Sequence, residues 1–407
     1  MQYSSALARS VTAGTDFFPQ EPDPVQQRQS DLTRHLLQPL GEHTLYRADP
    51  KKGSDTLSNR TYLIGYQARL QHHHLSLLLN HHRDAANHYY ETNLDLDSRL
   101  WNGPRNEPDW KLMPLTRAFH QCHDFFSPPA RERIRTLLLE GRQSLGFGGT
   151  ENHIINRATL VHLIDPLLGH HDAKTDHARR LLLSWIHQRR RRGFMEFNSP
   201  TYHRHSLLPL LELFDLSADE EIKHHAEQLL HQAFSLIALT SIRGVRGGPW
   251  HRFTRMAELS DKRDDVVALI AHLYFGSAER PPIITEGATW ATTDYRPPSP
   301  IPQLATEIEA RGSYEVRQRL DTVRPELNSI HWVTPSATLG SFSGAVPSSV
   351  ITTAAPTAPT SSFGSFVWAD PAVTLDLVAT RRMSANTKTP APLCGRIDRC
   401  SFSVAIG

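Results

Sequence analysis

The stretch ARRLLLSWIHQRRRR, residues 178–192, decides the predicted fold class. Its apolar residues recur at intervals of three and four, so they share one face of an α-helix: Ala178, Leu181, Leu182, Trp185 and Ile186. Residues 222–237 repeat this pattern, and Ser217 with Glu220 predicts a capping box at the start of that helix. The central part of the chain is therefore expected to be helical.

Similar stripes extend the helical pattern over about residues 30–280. One helix is expected before Ser217, and another after Ser127-Pro128-Pro129, which is a typical helix start. Short turns join these segments and predict antiparallel hairpins. An (α/α) toroid, meaning an incomplete barrel of such hairpins, would cover their apolar faces. An open α-solenoid would do so too, but the sequence has no fixed-period repeat.

The 407 residues divide into three predicted parts. Residues 1–28 are polar and are expected to form a flexible arm. Residues 29–325 form the helical toroid, which is the predicted catalytic domain, and 326–407 form an antiparallel β region short enough to suggest truncation. Its strands are expected where β-branched and aromatic residues cluster, at 331–334 and 365–378.

The composition excludes several classes of function. Lys and Arg number 44 against 42 acidic residues, so a broad basic surface for nucleic acid is not expected. The 24 histidines would add positive charge below about pH 6.5 and favour an anionic partner. The three cysteines do not suggest a disulfide framework or a thiolate zinc site.

Membrane insertion and export are not expected from the sequence as written. No stretch reaches the ~20 apolar residues of a membrane helix, and the N-terminus lacks the apolar run of a signal peptide. The expected location is cytoplasmic, or secreted or periplasmic if the N-terminus is truncated.

The segment Gly146–His153 carries more polar residues than packing requires. It places Thr150-Glu151-Asn152-His153 at the start of a helix, where the helix dipole and free N–H groups favour an anion. An ordinary N-cap formed by Thr150 or Asn152 is the alternative interpretation.

Two further segments have the same character. In Gly193–His203, the turn Asn198-Ser199-Pro200 would set Tyr202 and His203 at the start of the next helix, although a core Tyr is the alternative. In Gly244–Arg252, Trp250 offers a flat face and Arg252 a bidentate partner for a carboxylate, although a solvated loop is the alternative.

Taken in order, these segments resemble the helical-toroid polysaccharide lyases, the group that includes alginate, heparinase II/III-like and glucuronan lyases. The resemblance covers about residues 150–345. It departs from the group at the bulky Pro249-Trp250-His251 and at the early end of the β region. It is carried by Thr150–His153, by Glu196–Tyr202, by the Gly-Gly-x-x-x-Arg of Gly247–Arg252, and by Trp332–Pro335 with Leu339–Ser341.

This resemblance implies cleavage of a uronic-acid glycan by β-elimination. Asn152 and His153 would neutralise the substrate carboxylate, Tyr202 would act as base or acid, and Arg252 would hold the acidic sugar. His153 as the base, with Tyr202 as the acid, stays open, and so does whether this copy is active. Further substrate-binding residues are expected to be Glu151, Glu196, Asn198, His203, Trp250 and His251.

Two rival functions stay open at this point. A glycoside hydrolase on the same toroid would use Glu151 and Glu196 as its two carboxylates, and a non-catalytic protein would only bind acidic glycans. No cofactor and no catalytic metal are expected, because adjacent histidines on one helix diverge by about 100° and do not form a ligand set. A structural divalent metal stays open. The histidine runs considered are His72–His74, His81–His82 and His203/His205.

Overall fold

The computed structural model is mainly helical, with a small antiparallel sheet. This agrees with the predicted mainly α class. No helix in the described part of the chain combines the length and apolar character needed to cross a membrane. The structure describes residues 23–38, 56–94, 108–194, 198–199, 202–246, 266–277, 286–319, 328–343, 365–368 and 374–375.

The helices follow one another through most of the described chain. The first nine are α1 (Pro24–Leu36), α2 (Thr56–Leu78), α3 (Arg83–Thr92), α4 (Pro108–Cys122), α5 (Pro128–Ser144), α6 (Glu151–Leu168), α7 (Ala173–Arg192), α8 (His203–Leu216) and α9 (Glu220–Thr240). Shorter helices follow: α10 (Val266–Ile270), which continues as a π turn (Ala271–Phe275), α11 (Gly287–Thr292), α12 (Pro300–Thr306) and α13 (Ile308–Arg311).

Helix α7 forms as the apolar pattern predicts. It begins with a capping box, in which the Asp172 carboxylate accepts from the backbone N–H groups of Lys174 and Thr175. It ends at Gly193, whose positive φ of 68° suits a residue without a side chain. Most of its predicted stripe is buried: Ala178, Leu182, Trp185 and Ile186.

The predicted cap of α9 is wrong. Asp219, rather than Ser217, caps this helix, because its carboxylate accepts from the N–H groups of Glu221 and Ile222. The Ser217 hydroxyl is instead 2.8 Å from the Nε2 atom of His162 and receives the backbone N–H of Asp219. A carboxylate two residues further along therefore forms the cap.

Helices α4, α6 and α8 form an inner group. They pack against one another, and every residue from His203 to Leu213 of α8 is buried. Helices α5, α7 and α9 pack against them and keep one exposed face. Because the inner helices are surrounded by protein, their polar side chains need partners on neighbouring elements.

Arg117 of α4 is the centre of one such buried group. Its guanidinium donates to Glu212 Oε2 at 3.0 Å, to Asp215 Oδ2 at 2.8 Å and to Thr292 Oγ1 at 3.0 Å. The side chains of Arg117 and Glu212 are 1% exposed and that of Asp215 is 5% exposed. Thr289 donates to the second oxygen of Glu212. This network joins α4, α8 and α11.

The sheet follows the helices. A hairpin of β1 (Ser241–Ile242) and β2 (Val245–Arg246) comes directly after α9. Arg243 and Gly244 both have positive φ, as a two-residue type I′ turn requires. Five strands then pair antiparallel in chain order: β3 (Tyr314–Arg319), β4 (Asn328–Val333), β5 (Ala337–Ser343), β6 (Ser365–Trp368) and β7 (Thr374–Leu375).

Two predicted domain limits differ from the structure. Helix α1 begins at Pro24 after the Asp23 cap, and the Arg28 guanidinium donates to the carbonyl of Leu273 at 2.7 Å, so residues 23–28 belong to the fold and not to an arm. The sheet begins at Tyr314, ahead of the predicted limit at 325, because β3 pairs along its whole length with β4. Its polar sequence hides this strand from the apolar pattern. Residues 1–22 and 376–407 lie outside the described residues.

Candidate functional site

The start of α6 carries the first predicted segment, in the predicted position. Thr150 is the N-cap, and Glu151, Asn152 and His153 form the first turn. The Nδ1 atom of His153 lies 2.7 Å from Oδ2 of Asp109, at the start of α4. The Asp109 side chain is fully buried and that of His153 is 20% exposed. Because Asp109 accepts the Nδ1 proton, Nε2 is the ring nitrogen available for exchange with a ligand.

A chain of aromatic rings links His153 to the second segment. Trp110 of α4 meets the His153 ring edge-on, with centroids 5.6 Å apart, and the His205 ring at 3.9 Å. The Tyr202 ring follows, 5.9 Å from that of His205. The N-terminal ends of α4, α6 and α8 therefore meet, and they bring His153 and Tyr202 to the same end of the inner helices.

A second cluster joins the helices to the sheet. Arg246 Nη1 donates to Oδ1 of Asn198 at 2.8 Å, and Nδ2 of Asn198 lies 3.1 Å from Nε2 of His331 on β4. Asn198 has a φ of 52°, a left-handed conformation that Asn tolerates better than most residues. All three side chains are buried. The amide therefore holds a strand residue and a hairpin residue together.

His203 lies beside this cluster. Burial, with the positive charge of Arg246, lowers the pKa of His203 to about 3. The same causes lower the pKa of His331 to about 3. Neither ring nitrogen of His203 has a hydrogen-bond partner in the described part of the chain. Both histidines are therefore neutral at physiological pH.

These shifts predict that acid destabilises the fold. Because the folded pKa values lie below the ordinary 6.5, the unfolded chain takes up protons that the folded chain does not, so the contribution is complete above pH 6.5 and is lost as pH falls towards 3. Each histidine should give a slope of about 1.4 kcal/mol per pH unit within that window. Thermal unfolding from pH 8 to 4 should show a shallower loss for His203→Gln than for the wild type. Identical slopes would contradict the prediction.

Glu151 has a structural position. Trp185 Nε1 donates to Glu151 Oε1 at 2.6 Å, and Arg189 Nε lies 3.1 Å from the same oxygen. These contacts tie α6 to α7 with a buried ion pair. The carboxylate is thus held between two donors of the neighbouring helix.

The other predicted residues fall into three groups. Asn152 is 1% exposed and accepts the hydroxyl proton of Thr150, so it contributes to the local structure of the helix start. Asn198 and His203 belong to the second cluster. Four predicted residues lie outside the described residues: Glu196, Trp250, His251 and Arg252.

Sequence reasoning missed several residues of the site. His331 lies in the predicted strand 331–334 and Arg246 in the segment Gly244–Arg252, and their residue types are a signal that the sequence contains. Asp109 and Trp110 lie in no such segment. Their role follows only from contacts with residues more than 40 positions away, which a local pattern cannot reveal. From the sequence, His205 belongs only to a histidine run that is not expected to form a metal-ligand set.

The charges at this end of the helices favour an anionic ligand. The carboxylates described there are already paired: Asp109 with His153, Glu151 with Arg189, and Glu286 with Arg204 at 3.5 Å. The rings of Trp110, His205 and Tyr202 lie beside these pairs, and three helices of 14 to 18 residues begin at this end. Helix N-termini favour a carboxylate, and an imidazole and a phenol are groups that can exchange protons.

A cavity of about 410 Å³ lies elsewhere, among Phe119, His123 and Arg131 near the start of α5. It contains none of the residues above and no buried pair of titratable groups. We place the candidate site at the N-terminal ends of α4, α6 and α8, where paired and buried titratable groups meet. The chain matches no protein-family model, no curated protein and no solved structure.

Proposed function

We propose that this chain is a polysaccharide lyase that cleaves a uronic-acid-containing glycan by β-elimination. The observation that carries the proposal is the row from Asp109 through His153, Trp110 and His205 to Tyr202. In this row the Asp109 carboxylate orients the His153 imidazole, and the Tyr202 phenol lies at the same end of the inner helices, which supports their use as the proton-exchanging groups.

The proposal includes an (α/α) toroid as the scaffold. Its support is the inner group of helices, α4, α6 and α8, with α5, α7 and α9 outside them. In addition, α11 contacts α2, α4 and α8, as helices arranged around a common centre would require. The N-terminal ends of the inner helices would then form one wall of a groove for the glycan.

The chemical difficulty of the reaction is the weak acidity of the hydrogen on the carbon beside the carboxylate. Removal of that proton leaves negative charge on the carboxylate, and hydrogen bonds that strengthen as the charge develops lower the barrier. In our proposal His153 donates such a bond at the N-terminus of α6, and the amide nitrogen of Asn152, whose Oδ1 accepts from Thr150, donates a second. The helix dipole adds to their effect.

The elimination moves one proton and one electron pair. Tyr202, acting as base in its phenolate form, takes the proton, and the electron pair of the broken C–H bond forms the new double bond. The bond from the neighbouring carbon to the glycosidic oxygen breaks, and that oxygen leaves with a proton returned by Tyr202 or supplied by His153. His153 as base and Tyr202 as acid is the same balance with the roles exchanged. No cofactor takes part in either version, and Arg252 is the proposed clamp for the acidic sugar.

Two other functions fit the site less well. A glycoside hydrolase needs two carboxylates across the bond, but Glu151 is held by Trp185 and Arg189. A protein that only binds acidic glycans would not require the His153–Asp109 pair to be oriented for proton exchange. Both alternatives give results that differ from those of a lyase.

The test is an assay on alginate, glucuronan, heparan-type and pectin-type polymers. A lyase should release oligosaccharides with the ultraviolet absorbance of an unsaturated uronate from at least one of them. Glu151→Gln should keep most of that activity and unfold at a lower temperature, because Gln still accepts from Trp185 but loses the charge that pairs with Arg189. A hydrolase would give new reducing ends without absorbance and would lose nearly all activity in Glu151→Gln. If the chain bound a polymer but cleaved none of them, the proposed lyase activity would be rejected in favour of a protein that only binds acidic glycans.

A further inference from the structure

Helices α7 and α9 lie side by side and share a polar seam on the protein surface. Arg179 Nε pairs with Asp219 Oδ2 at 2.6 Å, and Gln232 Nε2 donates to the carbonyl of Arg190 at 3.0 Å. Partner numbers rise together along both helices, so the helices run in the same direction. These contacts fix the register of the two helices on either side of a histidine pair.

That pair is His187 of α7 and His225 of α9. Their Nε2 atoms are 3.4 Å apart, and the rings are inclined by 74° with centroids 4.7 Å apart. The rings therefore bring one nitrogen each to a common point and do not stack face to face. His187 is exposed and His225 is half-buried, so solvent reaches this point.

We propose that His187 and His225 bind a divalent transition metal ion that bridges α7 and α9. A tetrahedral zinc ion holds imidazole nitrogens at about 2.0–2.1 Å, which places two such nitrogens about 3.3–3.4 Å apart. The observed separation is the one that such an ion requires. Little movement would be needed to bind it, and a preorganised pair loses little entropy on binding.

The chemistry of the donors selects the class of ion. Neutral imidazole suits Zn²⁺, Ni²⁺ and Cu²⁺, whereas Mg²⁺ and Ca²⁺ prefer oxygen ligands. In the described part of the chain no group of three or more His, Cys, Asp or Glu side chains is arranged for a metal, so water would complete this two-histidine site. The site differs from the histidine runs considered from the sequence because its two ligands come from different helices.

Two features set a limit on the affinity. When Nε2 of His225 binds a metal, its Nδ1 carries the proton, and this atom is buried without a partner in the described residues. Arg191 lies one turn after His187 on α7, and its charge opposes a bound cation. Removal of that charge should therefore tighten binding.

The metal site does not depend on the proposed lyase activity, because its evidence is the pair of imidazoles alone. Metal binding can therefore be found or refuted in a protein that cleaves no glycan.

The experiment measures thermal unfolding of the full chain with and without Zn²⁺ or Ni²⁺, and reverses the effect with a chelator. We expect the metal to raise Tm by about 2–4 °C in the wild type. His187→Ala and His225→Ala should each abolish the same increment, and the double variant should lose no more than either one. Mg²⁺ should have no such effect, and Arg191→Ala should reach the full shift at a lower metal concentration.

His224→Ala is the matched control, because His224 is exposed, adjoins His225 and contacts Gln228. It should keep the whole metal-dependent shift. The proposal would be overturned if either His187→Ala or His225→Ala kept the shift, or if each variant lost only half of it. The contact between the two rings would then be a hydrogen bond and not a metal site. Electron paramagnetic resonance of bound Cu²⁺ gives a second measurement. The spectrum should show two imidazole nitrogen ligands in the wild type and one in either alanine variant. If an alanine variant does not fold, the corresponding Gln variant replaces it.

Discussion

Replacement of Tyr202 by Phe is expected to lower the turnover number on the cleaved glycan by about 10²–10⁴-fold, the usual contribution of a general acid or base. The change removes only the phenolic oxygen. The ring contact with His205 and the bond from the Tyr202 backbone N–H to Ser199 Oγ both remain. We therefore expect KM and Tm to change little. Initial rates of unsaturated product, measured across substrate concentrations, separate the two kinetic parameters.

Tyr314→Phe is the matched control. The Tyr314 hydroxyl donates to the carbonyl of Leu239 at 2.6 Å, at the contact of β3 with α9 and away from the proposed site. Its loss should affect stability modestly and leave the turnover number unchanged. If Tyr202→Phe keeps the full turnover number, Tyr202 is not the acid or the base, and proton exchange would have to rest on His153.

The Asp109–His153 pair determines which ring nitrogen of His153 can act on a substrate. Asp109 accepts its Nδ1 proton and is itself within 3.5 Å of Arg157. Asp109 does not contact the ligand in our proposal, so it is a positioning residue that fixes which nitrogen of His153 faces the substrate. The pairing also accounts for a buried carboxylate among aromatic rings, where an unpaired charge would be costly.

Local sequence predicted those parts of the fold that depend on local physics. The stripe of Ala178 to Ile186 and the Ser127-Pro128 start formed as expected, because helix periodicity and capping act within a few residues. The Ser217 cap failed where two acceptors competed within three positions, and the carboxylate of Asp219 formed the cap. Ser217 is the C-cap residue of α8, so the turn that follows α8 decides which of the two side chains reaches the first N–H groups of α9.

The candidate site was only partly predictable for a different reason. His153 and Tyr202 lie at helix starts, which turn residues reveal, but the contacts that orient them cross long stretches of chain. Asn198 meets His331 across 133 positions, and the contact depends on the packing of the sheet against the helices. A pattern in one segment carries no information about that packing.

Arg117→Met is expected to reduce the free energy of unfolding by about 3–5 kcal/mol, the usual cost of removing one partner from a buried ion pair. Burial lowers the pKa of Arg117, but the charges of Glu212 and Asp215 outweigh this and raise it above its ordinary value. Burial in turn raises the pKa of both carboxyl groups, and Arg117 opposes that rise. Without the guanidinium, two carboxylates would stay buried next to one another. Denaturant unfolding monitored by circular dichroism measures the loss.

The pH dependence of that loss distinguishes the charge effect from a simple packing defect. In Arg117→Met the pKa values of Glu212 and Asp215 should rise further, so the folded variant should take up protons more readily than its unfolded chain, and its deficit should be smaller at pH 5 than at pH 8. Arg34→Met is the control, since the Arg34 side chain is 71% exposed beside Asp31, and such a surface pair contributes about 0–1 kcal/mol. A loss in Arg117→Met that matches Arg34→Met would show that the buried network does not hold α4, α8 and α11 together. A larger loss that does not vary with pH would show that packing, and not the charge of Arg117, stabilises the contact.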